Sequence, residues 1–206
     1  SEENIMPLGA NKAAIMGVAG VSTGDVVLLS SQTASGDASI SFTSGIDSTY
    51  GEYIFRWYNV NPVADDSELL FQVNAASQSG YNETITSTSF DARHDEADGD
   101  AGVAYSTHND QAQGTAFQEL ATNIGNGADE SSAGYLHLFN PASTTYVKHW
   151  YSQSISYEQQ SVARIQHNAG YINTTGAITQ VQFKTLEDGH GTATNFDGTI
   201  KMWGVK

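Results

Sequence analysis

The chain has 206 residues, with 8 basic against 23 acidic side chains, a formal net charge of −15 and no cysteine. This negative charge repels the phosphates of nucleic acids and of anionic lipids, so neither a nucleic acid nor a membrane is an expected partner. The lack of cysteine excludes disulfides, thiol nucleophiles and cysteine-ligated metal sites.

Residues 1–24 are predicted to form an N-terminal arm. Residues 5–21 are apolar and rich in small side chains, but one proline and three glycines interrupt them. They follow neither the helical period nor the strand period. We expect the arm to dock on other proteins of the same assembly, and a flexible leader is the alternative. Glu2 and Glu3 stand where a signal peptide carries positive charge, which indicates a protein made in the cytosol.

Residues 25–206 are predicted to form one domain of about ten short strands. In residues 52–58, alternation places Tyr53, Phe55 and Trp57 on one face. Glycine, serine and threonine between the apolar runs indicate turns. The predicted strands are residues 26–29, 38–42, 52–58, 69–74, 84–90, 134–139, 145–151, 154–167 (one strand or two), 178–184 and 198–205.

A turn and a helix are predicted between these strands. Asn140 and Pro141, between residues 134–139 and 145–151, indicate a hairpin turn. The single helix candidate is residues 113–123, where the apolar side chains have helical spacing.

The fold predicted from these elements is all-β: a two-sheet antiparallel β-sandwich, jelly-roll-like, with the N-terminal arm outside it. Such sheets have open edges that an oligomer can cover. Seven apolar residues that share a phase within their strands are predicted to form the core: Phe42, Phe55, Leu69, Phe71, Leu138, Phe183 and Ile200.

An acidic run is the first candidate for chemistry. It consists of Asp91, Asp95, Glu96, Asp98 and Asp100. Clustered carboxylates can bind Ca²⁺, but the spacing differs from that of an EF-hand loop. A solvated acidic loop is the favoured interpretation, and a calcium site is the alternative.

Histidines and nucleophiles give no specific signal. His137 and His149 fall in the two strands of the predicted hairpin and could meet across it, either as a plain cross-strand pair, which we favour, or as a metal site. No nucleophile elbow or phosphate-binding loop occurs in the sequence. The sequence therefore predicts a non-enzymatic protein without catalytic, cofactor-binding or metal-binding residues. The third candidate class of function is an enzyme such as a depolymerase, which would use a pair of carboxylates.

Large rings are more numerous than one core needs. Some must be buried, and the rest suggest subunit contacts or a surface that binds glycans. The set comprises Tyr50, Tyr53, Trp57, Tyr58, Tyr81, Tyr105, Tyr135, Tyr146, Trp150, Tyr151, Tyr157, Tyr171 and Trp203.

Several segments, in order, resemble a family of structural proteins of marine bacteriophages. They are residues 39–50 (SISFTSGIDSTY), 52–55, 125–130, 138–149 (LFNPASTTYVKH), 169–178 and 198–205 (GTIKMWGV). The resemblance covers about residues 35–206. It implies a virion protein of the fibre, tail or minor structural class, and it brings no catalytic residues with it.

We therefore expect a virion structural protein on the particle exterior, assembled in the host cytoplasm, as a capsid decoration or as part of a fibre or tail. The alternative is a module of a tail fibre or spike that binds a host glycan or receptor. The expected partners are further copies of the chain, with a trimer favoured over a ring, and other virion proteins through the arm. The contact between copies is expected to be apolar or to be locally balanced by cations such as Arg56, Lys148 and Arg164.

Overall fold

The structure, a computed structural model, describes residues 25–187 and 191–206, so the predicted arm lies outside the described residues. Within these ranges the chain is all-β, without a helix. The strands are β1 (Val26–Asp37), β2 (Ser39–Phe42), β3 (Glu52–Pro62), β4 (Ser67–Ala75), β5 (Ile85–Asp95), β6 (Ala101–Tyr105), β7 (Gln118–Ile124), β8 (Ser132–Phe139), β9 (Lys148–Glu158), β10 (Val162–Ile172), β11 (Ile178–Glu187), β12 (Ala193–Thr194) and β13 (Phe196–Val205).

The strands form one curled antiparallel sheet. Eight of them are hydrogen-bonded in the order β1-β13-β3-β8-β9-β10-β5-β6, which we call the eight-strand run. Strands β7, β4 and β11 follow one another beside it, and β11 also pairs with β2 and β12. A single residue pair, Ile124 with Glu158, joins β7 to β9 and so links the two parts.

The core lies between the eight-strand run and the strands around β4 and β11. All seven predicted core residues are buried there, with at most 1% of any of them exposed, so that prediction is confirmed. The rings of Phe42 and Phe55 meet edge to face at 5.3 Å, and those of Phe71 and Trp150 at 5.0 Å. Each of these contacts joins a strand beside β11 to a strand of the eight-strand run, so the rings hold the two parts together.

The helix predicted at residues 113–123 is wrong. This region contains β7, which pairs with β4 through Leu69 and Ala121. Leu120, Ala121 and Ile124 all lie in the core. A short strand that is covered on both sides lacks the alternation of apolar and polar residues typical of a strand. The spacing of its apolar residues can then match that of a helix.

Other predicted strands are confirmed with changed bounds. The segment 154–167 is two strands, because the chain turns between β9 and β10 at Ser161, whose φ is 57°. The hairpin at Asn140 and Pro141 joins β8 to β9, and Asn140 takes a positive φ of 44°, which asparagine tolerates better than most residues. Strand β6 was not predicted.

In the described part of the chain there is no helix that could cross a membrane.

Candidate functional site

The outer face of the eight-strand run is the most distinctive surface of the molecule. On each strand, alternate side chains point into the core or away from it, and the outward ones align across the strands. One such line, which we call the apolar row, crosses five strands. It consists of Val103, Ala92, Ile165, Ile155 and Ala133. The outer face thus carries a stripe without a charged group.

Aromatic side chains stack beside the apolar row. His137 on β8 lies opposite Tyr151 on β9, and their rings are nearly parallel, with centroids 4.6 Å apart. Phe139 lies 5.7 Å from the same tyrosine ring, and Tyr135 meets His137 edge to face at 5.1 Å. We call Tyr135, His137, Phe139 and Tyr151 the ring cluster.

Polar contacts fix the orientation of the ring cluster. Nδ1 of His137 is hydrogen-bonded to the carboxylate of Glu52 on β3. The hydroxyl of Tyr135 donates to Oε1 of Gln153 at 2.7 Å. Burial, with smaller contributions from the nearby Tyr135 and Glu52, raises the pKa of Tyr151, so its phenol keeps its proton and can donate a hydrogen bond.

A second stack lies across a hollow from the ring cluster. Phe90 on β5 and His167 on β10 are neighbours in register, and their rings stack at 4.9 Å. Between this stack and Tyr151 the surface sinks over Ala169. The hollow has a volume of about 200 Å³, and we call it the Ala169 hollow.

A larger hollow lies at the β8–β9 hairpin. Its volume is about 470 Å³, and its lining includes Phe139, Tyr146 and His149. Because Phe139 belongs to the ring cluster, both hollows adjoin the same aromatic surface. This surface can stack flat apolar faces and has hydrogen-bonding groups around it.

The predicted histidine pair is wrong in its register. His137 lies opposite Tyr151, and His149 lies opposite Tyr171 on β10. Nor do three histidine, aspartate or glutamate side chains come together to hold a metal ion anywhere in residues 25–187 and 191–206.

The acidic run is divided between a strand and a loop. Asp91 lies on β5, is buried, and pairs with Arg164. Asp95 instead accepts a hydrogen bond from the backbone N–H of Gly99 at 2.7 Å, and Asp100 pairs with Arg93 at 2.8 Å. The prediction of a solvated loop is therefore wrong for Asp91, whose carboxylate is buried and pairs with the partly buried guanidinium of Arg164.

Two of the three cations expected at a contact between copies bind groups of their own chain instead. Lys148 is fully buried, and its Nζ donates to the carbonyl oxygens of Tyr146 at 2.8 Å and Thr174 at 3.1 Å. Arg164 lies between the carboxylates of Asp91 and Glu158. Both cations serve internal contacts, and only Arg56 of the three is exposed.

The rings singled out from the sequence divide between core and surface. Tyr53, Trp57 and Trp150 are buried, and Trp57 donates a hydrogen bond from its indole N–H to Ser132. Four others are exposed large side chains: Tyr58, Tyr105, Tyr146 and Tyr151.

Three residues of the site were missed by the sequence analysis. Phe90, His167 and Ala169 were not singled out, although Phe90 and His167 occupy outward phases of strands that were predicted. The phase of each strand could have identified them, but the register that brings them together could not be inferred from one strand alone.

Comparisons of the chain with protein-family models, with curated proteins and with solved structures give no match.

Proposed function

We propose that this chain is a non-enzymatic structural protein on the exterior of a bacteriophage particle, where it decorates the capsid or forms part of a fibre or tail. The observation that carries the proposal is the outer face, whose apolar row and stacked rings form a broad contact surface. The phage setting rests on the resemblance of residues 35–206 to virion proteins.

We also propose that the two parts of the curled sheet form a two-sheet, jelly-roll-like sandwich. Its two parts are joined by one residue pair, Ile124 with Glu158, and aromatic rings pack between them. In such a sandwich one face of the eight-strand run is committed to the core, which leaves the other face for partners.

Self-association of copies would use the apolar row. Val103 is 77% exposed and Ile155 is 57% exposed, so most of the surface of these two side chains of the row is in contact with water in a single copy. Covering it with a second copy removes that surface from water. A closed trimer remains the assembly that we favour, with residues 1–24 attaching it to other virion proteins.

Mass spectrometry and cryo-electron microscopy of purified particles would test this function. We expect many copies of the chain, arranged with the symmetry of the capsid, fibre or tail, and exposed on the exterior. Absence of the chain from purified particles, or a position inside the capsid, would contradict the proposal.

The second candidate function is recognition of a host surface glycan. The ring cluster, the Phe90–His167 stack and the two hollows favour it, because aromatic rings beside polar groups suit the mixed apolar and hydroxyl surface of sugars. Binding of the isolated chain to an array of oligosaccharides would test it, and binding to none of them would contradict it.

A further inference from the structure

The ring of Tyr151 presents one free face to the Ala169 hollow. Within the described part of the chain it meets the rings of His137, Phe139 and Tyr135, which all belong to β8, on one side of β9. On the other side, towards β10, the ring lines the hollow. Tyr151 is 39% exposed, so this face is accessible to a ligand.

The hollow exists because Ala169 is small. It lies in register with Tyr151 on β9 and with Thr88 on β5, whereas the next outward residues of β10, His167 and Tyr171, are large. The volume of about 200 Å³ is below the roughly 300 Å³ at which pockets for drug-sized ligands begin. The hollow therefore suits one six-membered ring rather than two.

Hydrogen-bonding groups surround this space. The hydroxyls of Tyr151 and Thr88 and the ring nitrogens of His167 make no hydrogen bond within the described part of the chain. A pyranose has an apolar face of C–H groups and a rim of hydroxyls. The C–H face can pack against a tyrosine ring, and the hydroxyl rim can form hydrogen bonds with such donors and acceptors.

Charge narrows the class of sugar. The described residues that line the hollow include no aspartate, glutamate, lysine or arginine, and the whole chain has a net charge of −15. Among the described residues, the hollow has no lysine or arginine to pair with a carboxylate or a sulfate, and the surrounding field opposes either group. Neutral sugars have no such penalty.

We infer that the Ala169 hollow is a subsite for one neutral pyranose ring, stacked on Tyr151 and hydrogen-bonded at its rim. The inference rests on the glycan recognition proposed above as the second function, and it specifies where that recognition occurs and which sugars it takes. The stack of Phe90 on His167 forms the opposite wall.

Saturation-transfer NMR with the full chain would test the subsite. The probes are the methyl glycosides of glucose, galactose, mannose and N-acetylglucosamine, with methyl glucuronide as the anionic comparison. Ala169→Leu fills the hollow, and Ala163→Leu adds the same bulk on the same face of β10, outside the hollow. We expect at least one neutral glycoside to bind the unmodified chain and Ala163→Leu, and Ala169→Leu to raise its dissociation constant about tenfold or more.

Two further variants keep the test decisive if Ala169→Leu does not fold. Tyr151→Ala removes the stacking surface and should abolish binding, whereas Tyr151→Phe retains the ring and should lose only the contribution of the hydroxyl.

The outcomes separate the subsite from the function. Equal binding of a neutral glycoside by Ala169→Leu and the unmodified chain would overturn the subsite and leave glycan recognition standing. Preference for the glucuronide would overturn the neutral class. Oligosaccharide-array binding that persists in Ala169→Leu would likewise place recognition elsewhere, and failure to bind any array sugar would overturn both.

Discussion

The ring of Phe71 lies at the meeting point of the two parts of the sheet. It is fully buried and contacts Trp150 edge to face at 5.0 Å and Phe183 at 6.5 Å. Truncating such a ring loses the free energy gained by burying its apolar atoms, and it leaves a cavity that the neighbouring side chains fill only in part. Its loss therefore affects the contact between strands that are far apart in the sequence.

We expect Phe71→Ala to lower the free energy of unfolding by roughly 3–5 kcal/mol. Urea denaturation followed by tryptophan fluorescence would measure it, with Tyr146→Ala as the control because that ring is 70% exposed. A loss below about 1 kcal/mol, the range of surface substitutions, would mean that Phe71 is not in the core.

Glu119 is a buried carboxyl group that the sequence analysis did not identify. It lies on β7 in register with Leu70, and only 6% of it is exposed. Burial, and then the charge of Glu68, raise the pKa of Glu119 to about 8 from an ordinary value of 4.5. The folded chain thus holds a proton that the unfolded chain releases above pH 4.5.

Stability should therefore fall as pH rises from about 4.5 to about 8 and should change no further through this group above that range. Glu119→Gln removes the ionisation, so we expect it to flatten this dependence and to be more stable than the unmodified chain at pH 9 by a few kcal/mol. Thermal unfolding across pH would measure it, with the exposed Asp129→Asn as control. Parallel curves for Glu119→Gln and the unmodified chain would contradict the prediction.

Strands with one buried and one outward face were the elements that the sequence could predict. In β3 the residues Tyr53, Phe55 and Trp57 alternate with exposed or half-buried ones, and the alternation fixes both the strand and its core face. Strand β7 is covered on both sides and lacks this signal. Strand β6 has the sequence AGVAY, in which small residues leave little pattern to detect.

The candidate site was predictable only in its residue types. His137 and Tyr151 could be assigned to surface positions of one hairpin, but their partners depend on register, which the turn at Asn140 sets. A shift of two residues would have placed His137 opposite His149, as the sequence analysis expected. The hollow over Ala169 forms only when β9, β10 and β5 are in register, and the sequence of one strand does not determine its register with two others.

Strands β6 and β4 should differ strongly in local stability. All five residues of β6 are exposed, and among the described strands β6 pairs with β5 alone. All nine residues of β4 are buried, and β4 pairs with both β7 and β11. Amide hydrogens exchange fastest where opening exposes little apolar surface. We expect the amides of Gly102 and Ala104 to exchange at least a hundredfold faster than those of Leu69 and Phe71, a difference of about 2.7 kcal/mol in opening. Hydrogen-exchange NMR would measure this, and comparable rates would contradict an open edge at β6.

The whole molecule combines a strong negative charge with an uncharged contact surface. The net charge of −15 opposes the approach of a second copy, while the apolar row favours it. The row ends at β6, an edge strand without lysine or proline, the residues that commonly prevent edge contacts between sheets. Which effect dominates depends on salt, because salt screens the repulsion and leaves the apolar contact in place.

We therefore expect self-association to tighten as salt rises from about 0.05 M to about 0.5 M, over which the Debye length falls to roughly 4 Å. Sedimentation velocity at micromolar concentration would follow it, with a trimer as the favoured species. Val103→Lys places a charge in the apolar row and should shift the chain to monomer. Val63→Lys makes the same substitution at an exposed valine outside the row and should leave association unchanged. A monomer at half-molar salt would argue against self-association, and equal effects of the two lysine variants would place the contact elsewhere on the molecule.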